Sequence, residues 1–316
     1  MNARSIIRDQ SYCVLRDGSL FSVHGDQDLD GLLLGDVAFA VDPDGLYTDG
    51  SHTYSKPYVH DSAHRRQKRK QPRVTSIDGI QLRIPGVGVD PGEIINVISV
   101  GEMRAATLDG PHASTIERLE HFAVNLVESE TGAEVDFGLT GSVGLGLQRL
   151  DGKKPHDWDL VFSTDSMTGS AIVAALQRRA MAHPETRVQE YGKGWLIRQW
   201  VGDDLLCPFF RGKEPHVLRL INVSSKPVTL VGRVTEAVDS ASVPVRFSVR
   251  SESGADVSVV VLGLRSRGDI RTDDHVRVVG HWGAISIDNQ PATEALVSVD
   301  DAPRLLLSQP WPSYYV

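Results

Sequence analysis

Asp157 and Asp159 flank Trp158 in the segment KKPHDWDLVFS. On an extended strand successive side chains alternate faces, so the two carboxylates point the same way and the tryptophan points the other. Two acids on one face repel, and one of them titrates high unless a cation offsets the charge. Such a pair suits a divalent metal. Mg²⁺ takes one or two protein carboxylates and completes its octahedron with phosphate oxygens and water, and Mn²⁺ is the alternative ion. Upstream stands Thr140-Gly141-Ser142. Gly141 permits close backbone approach, Ser142 adds a hydroxyl, and a helical segment opening there directs N–H groups and partial positive charge at an anion. A triphosphate tail fits that turn. Lys153, Lys154 and His156 precede the acids in a loop from which they could reach phosphates, although loop lysines are often merely solvated. Two metal ions about 3.5–4 Å apart stabilise both the attacking and leaving oxygens of an in-line displacement, so the reaction class is nucleotidyl transfer from an NTP.

Several elements must position these groups. Residues 137–163 read as a strand, a tight turn, a short helical segment, a basic loop and a second strand carrying the acids. Before them, Ser114 to Thr131 predicts a helix: Ser114 and Glu117 form a capping-box pattern, and Gly132 is a stop. Its apolar stripe comprises Ile116, Leu119, Phe122, Ala123, Leu126 and Val127. A second amphipathic helix is expected from Gly169 to Ala182. After it, GWLIRQWVGDDLLCPFFRG reads as two strands joined at Gly202-Asp203. Helices between strands predict an α/β domain.

The succession of Gly-Ser, an interval, and Asp-Trp-Asp followed by Leu160 and Val161 resembles the hallmark of the nucleotidyltransferase-fold, or polymerase-β-like, superfamily. More narrowly, DGSLFSVHG near the N-terminus, GLTGSVGLGL with its acidic pair, and a β-rich C-terminal region resemble a family of predicted nucleotidyltransferases known mainly from archaea. The resemblance implies that the Gly-Ser turn holds the nucleotide phosphates and that the paired acids bind metal. It also implies a third carboxylate on a later strand that activates the acceptor hydroxyl. Asp204, at a strand start after the Gly-Asp turn, is the first choice; Asp203 and Glu190 are alternatives. The interval Val143 to His156 stands at the long end of the spacing in that superfamily. RNA, protein and a small molecule all remain open as acceptor.

The fold expected is therefore α+β. Residues 1–105 form an N-terminal β module, 106–225 a nucleotidyltransferase-like α/β domain with a mixed sheet, and 226–316 an OB-like barrel with an extended tail. Asp17-Gly18 and Asp78-Gly79 mark hairpins, and Pro85 to Gly92 a connector. The short alternating strands from Lys226 to Val299 suit a five-stranded barrel. With 316 residues, 41% hydrophobic and 23% charged, the chain has the composition of a folded, multi-domain protein. A net charge of −8 gives no overall attraction to nucleic acid, but the run HRRQKRKQPR offers a local phosphate-contacting arm. A rival reading follows: a catalytically silent protein that binds nucleic acid or a partner through that loop and the OB-like domain. Cys13 and Cys207 lack any metal-knuckle or redox spacing, and neither a secretory leader nor a long apolar run is present, so a cytoplasmic location without membrane contact is expected.

Overall fold

Ile116, Leu119, Ala123 and Val127 line one side of helix α1 (Ala113–Thr131), where helical spacing brings them into a common buried stripe. Gly132 ends it in the left-handed region at φ 63°, its N–H returned to Glu128 O. The start differs from the expected capping box: His112 holds the cap position without a side-chain cap bond, and Ser114 lies inside the first turn. Helix α2 is a single turn, Gly141–Gly144. Helix α3 (Ser166–Ala182) begins earlier than its apolar pattern suggests, because Asp165 caps it by accepting from the Thr168 N–H at 2.8 Å. These elements belong to a computed structural model, which describes residues 6–28, 33–60, 66–68, 75–77, 80–82, 91–102, 112–132, 134–155, 157–190, 193–221, 223–224, 226–262, 267–298 and 304–305. The Pro85–Gly92 bend, most of the basic run and the aromatic tail fall largely outside them.

A six-stranded sheet carries the acidic pair. Its order is Gly101–Glu102, Asp136–Leu139, Trp158–Thr164, Asp204–Gly212, Lys193–Val201 and Arg187–Glu190. All its pairings are antiparallel except that of Trp158–Thr164 with Asp204–Gly212. Trp158, Leu160, Phe162, Leu206 and Phe210 face α1 and α3 and form the largest part of one core. Each such side chain stabilises the fold by about 1.5–3 kcal/mol. That burial locks the register, since a slip by one residue would drive Asp157 and Asp159 under the helices.

Two further β units pack around this sheet. In the N-terminal one, Tyr12–Leu15 and Leu20–Val23 form the hairpin at Asp17-Gly18, Ile94–Ile98 pairs with the first of these strands, and Gln148–Arg149 joins at the far edge beside Tyr47–Thr48. The chain therefore crosses from this unit to the central sheet between Ile98 and Gly101. In the C-terminal unit, Pro227–Asp239, Val245–Ser251, Asp256–Val261, Thr293–Ser298 and His275–Ile287 pair successively, and the last returns to the first. The result is a closed five-stranded barrel around Val234, Val249, Val259, Val276 and Val278.

The expected α+β class built on a central α/β nucleotidyltransferase-like domain is corrected by this architecture. Among the described residues strands far outweigh helices, with several antiparallel sheets and three α-helices, so the fold is predominantly β and not a helix-rich α/β core. The physical cause lies in the connections. Gly202 at φ 61° and Asp203 turn Lys193–Val201 directly into Asp204–Gly212, and Arg187–Glu190 pairs antiparallel with the first of these, so this three-strand side of the sheet needs no crossover helix. Among the described residues, helices cover one face of the sheet.

Candidate active site

Leu139 pairs with Leu160 in the antiparallel ladder, which carries the Thr140-Gly141-Ser142 turn alongside the acids. The Thr140 N–H donates to Asp159 O at 2.9 Å. Gly141 has φ 65°, and a Cβ built on it would lie 1.9 Å from Asp159 Oδ2. Only glycine lets the carboxyl rest against the turn.

Asp157, Asp159 and Cys207 each present one ligand atom, and these three atoms lie within 4.8 Å of one another. Parallel pairing places Cys207 directly beside Asp159, and Arg198 flanks Cys207 on the next strand. Arg198 is 4% exposed, and its Nη2 donates to Asp157 Oδ2 at 2.7 Å. Its guanidinium also lies 5.8 Å from the Trp195 ring centroid. Burial and the neighbouring Asp157 charge raise Asp159 to about 6, while Lys56 and Arg198 pull it down. Burial likewise pushes the Cys207 thiol up to about 12, keeping it neutral.

Two other units close over this face. From the N-terminal sheet, Tyr12 Oη accepts the Gly141 N–H at 3.1 Å, and Thr140 Oγ1 donates to Gln10 O. Desolvation, with the Asp159 charge, raises the Tyr12 phenol to about 12. Lys56 is exposed, its Nζ 5.8 and 5.7 Å from the Phe39 and Tyr47 ring centroids. From the C-terminal unit, Arg267 stacks over Phe209 with Cζ 3.6 Å from the ring centroid, and its Nη2 approaches Cys207 Sγ at 3.9 Å. Arg267 is 3% exposed, and burial lowers its guanidinium pKa.

Other residues singled out in the sequence lie elsewhere. Asp204 shares the helix-covered face with Leu206 and takes a hydrogen bond from Arg118 Nη2 on α1, so it points away from Asp157 and Asp159. Asp203 is an exposed turn residue, and Glu190 sits on the edge strand, three strands beyond that of the acids. Lys153 is solvent-facing and 3.9 Å from Asp151, itself bound by Arg149, and Lys154 is exposed. His156 lies outside the described residues. Ser142 is 9% exposed, buried in the turn.

Sequence reasoning missed Arg198, Cys207, Tyr12, Lys56 and Arg267. Only Arg198 left a local signal: a charged side chain in the apolar strand WLIRQWV, where an unpaired charge is too costly to bury. No protein-family model, curated protein or solved structure matches the chain. Among the described residues, no helix is long and apolar enough to cross a membrane.

Proposed function

We propose that this chain is a divalent-metal-dependent nucleotidyltransferase, moving a nucleoside monophosphate from an NTP to an acceptor hydroxyl. The observation that carries the reading is the contact between Gly141 and the Asp159 carboxyl, because it sets a phosphate-seating turn against a metal-binding acid. The donor set fits Mg²⁺ or Mn²⁺: Asp157 and Asp159 are hard oxygen donors, whereas the neutral thiol of Cys207 is an indifferent neighbour to such ions. A bound divalent ion supplies charge neutralisation on the transferring phosphoryl group and the leaving pyrophosphate.

The protein's own groups orient the rest. Arg198 fixes the Asp157 carboxylate through Oδ2. Lys56 adds positive charge on the side of Asp159, where phosphate charge would gather. Seating a phosphate oxygen on the Gly141 N–H requires displacement of the Tyr12 phenol that now accepts it. Asp204 does not serve as base for the acceptor hydroxyl, because its carboxylate faces α1.

The test is transfer of label from α-phosphate-labelled NTPs, with Mg²⁺ or Mn²⁺, to RNA, to protein and to small alcohols. Asp159→Asn is expected to abolish transfer, and full activity in that variant sinks the metal role. A second reading, binding without transfer, draws on the fact that Gly141 and Asp157 already have intramolecular partners in Tyr12 and Arg198. It predicts salt-dependent RNA binding that Asp157→Asn leaves unchanged.

A further inference from the structure

A cavity of about 480 Å³ opens at the other end of the same sheet, where the N-terminal, central and C-terminal units meet. It lies outside the carboxyl ends of the parallel pair Trp158–Thr164 and Asp204–Gly212, at the start of α3. Open sheets gather ligands at that end of parallel strands, and clefts of this size between domains hold small molecules.

Most charges around the cavity are matched. Asp26 takes Arg8 Nε and the N–H groups of Asp9 and His216. Arg8 also donates to the carbonyls of Gly212 and Lys213. Asp239 holds both Ser166 and Arg246, and Asp165 caps α3 through Thr168. The helix start therefore already faces a carboxylate and is closed to phosphate.

Lys213 and Glu214 are exposed at the rim, and two less accessible groups are left over. Asp9 is 5% exposed and lines the cavity; its Oδ1 accepts from Gly25 N–H at 2.7 Å and Gln10 Nε2 at 3.0 Å, while Oδ2 has no partner among the described residues. Arg211 also lines the cavity. It donates only to Ser163 Oγ at 3.1 Å, and its buried Nε has no partner among the described residues. No hydrogen bond or ion pair joins Asp9 to Arg211, although their charges interact. A buried acid and a nearby half-buried cation, each tethered away from the other, are both satisfied by one ligand that carries the two opposite charges.

We propose that this cavity binds a free α-amino acid, its ammonium donating to Asp9 Oδ2 and its carboxylate accepting from the Arg211 guanidinium. Phe210, Val243 and Pro244 supply an apolar wall, which selects an apolar side chain. Burial and the Asp26 charge raise the Asp9 pKa to about 7, against the Gly25 N–H and the Arg267 charge, which pull it down. Burial and the nearby Arg8 charge lower the Arg211 pKa, the mirror condition. The site stands independently of nucleotidyl transfer, since Asp159 and Thr164 are at opposite ends of their strand.

The experiment is calorimetric titration of the full chain with L-leucine, L-isoleucine, L-valine, L-methionine and L-phenylalanine. For any that binds, the matching amine without the carboxylate and the matching acid without the amine are titrated alongside. At least one amino acid is expected to bind, with each half-analogue at least about tenfold weaker. Asp9→Asn and Arg211→Met should weaken it by a similar factor. Ser170→Trp, on the exposed cavity rim, should block entry without touching the core and serves if the Asp9 variant does not fold. Absence of binding by all five, or binding that Asp9→Asn, Arg211→Met and Ser170→Trp leave unchanged, overturns the proposal.

Discussion

Gly141→Ala separates two effects that glycine combines at the candidate site. Gly141 has φ 65°, so any other residue there meets the left-handed penalty of about 1–2 kcal/mol. Its new Cβ would also stand 1.9 Å from Asp159 Oδ2, so the carboxyl must retreat by about 1.5 Å to reach the 3.4 Å of ordinary contact. Gly146 supplies the control: it lies on the same segment at φ 68°, and a Cβ there meets nothing within 4 Å. Gly146→Ala therefore carries the backbone penalty alone. At roughly 2–4 °C per kcal/mol, both variants should melt about 2–8 °C below the wild type, Gly141→Ala the lower of the two. Only Gly141→Ala should lose affinity for Mn²⁺, followed by paramagnetic resonance. Transfer from labelled NTP should fall about a hundredfold, the usual effect of an ångström-scale misplacement. Equal Mn²⁺ affinity in the two variants would show that the Gly141 contact does not set the carboxyl.

Arg198→Met removes the Arg198 donor from the half-buried Asp157 and should destabilise the chain by about 1–3 kcal/mol in urea unfolding; no measurable change would mean that the pair is solvated. Asp204→Asn breaks the contact with the half-exposed Arg118, should lower stability by about 1 kcal/mol, and should leave Mn²⁺ affinity intact; loss of metal binding would place Asp204 on the wrong face in the description above. For pH, Asp9 titrates at about 7 when folded against an ordinary value of 3.8, so between those values the native state binds the extra proton. Stability should thus fall as pH rises from about 4 to 7, by an amount on the order of a few kcal/mol, and level off above. Asp9→Asn should flatten that slope in unfolding titrations run across the window, and an unchanged slope would assign it to other groups.

Much of the site was legible because its first members are close in sequence. Asp157 and Asp159 share a face by strand alternation alone, and Trp158 between them is 2% exposed in the core, as an apolar residue of the opposite parity must be. The stripe of α1 and its Gly132 stop were equally local. The class of the fold was not legible in the same way: helix and strand signals identified elements, but whether a second helical layer covers the sheet depends on how the flanking β units dock. Asp204 shows the limit for single residues. It stands where a third acid was expected along the chain, yet the register Trp158 to Leu206 gives it the parity of the helix-covered face. The neighbours of the pair come from three separate stretches, Arg198 and Cys207 from one hairpin, Tyr12 and Arg267 from two others, and meet only through strand pairing and domain docking. Alternation along a strand is fixed by covalent geometry and can be read from sequence; which strand lies beside it, and which loop closes over it, is decided by the burial of side chains far apart in the chain.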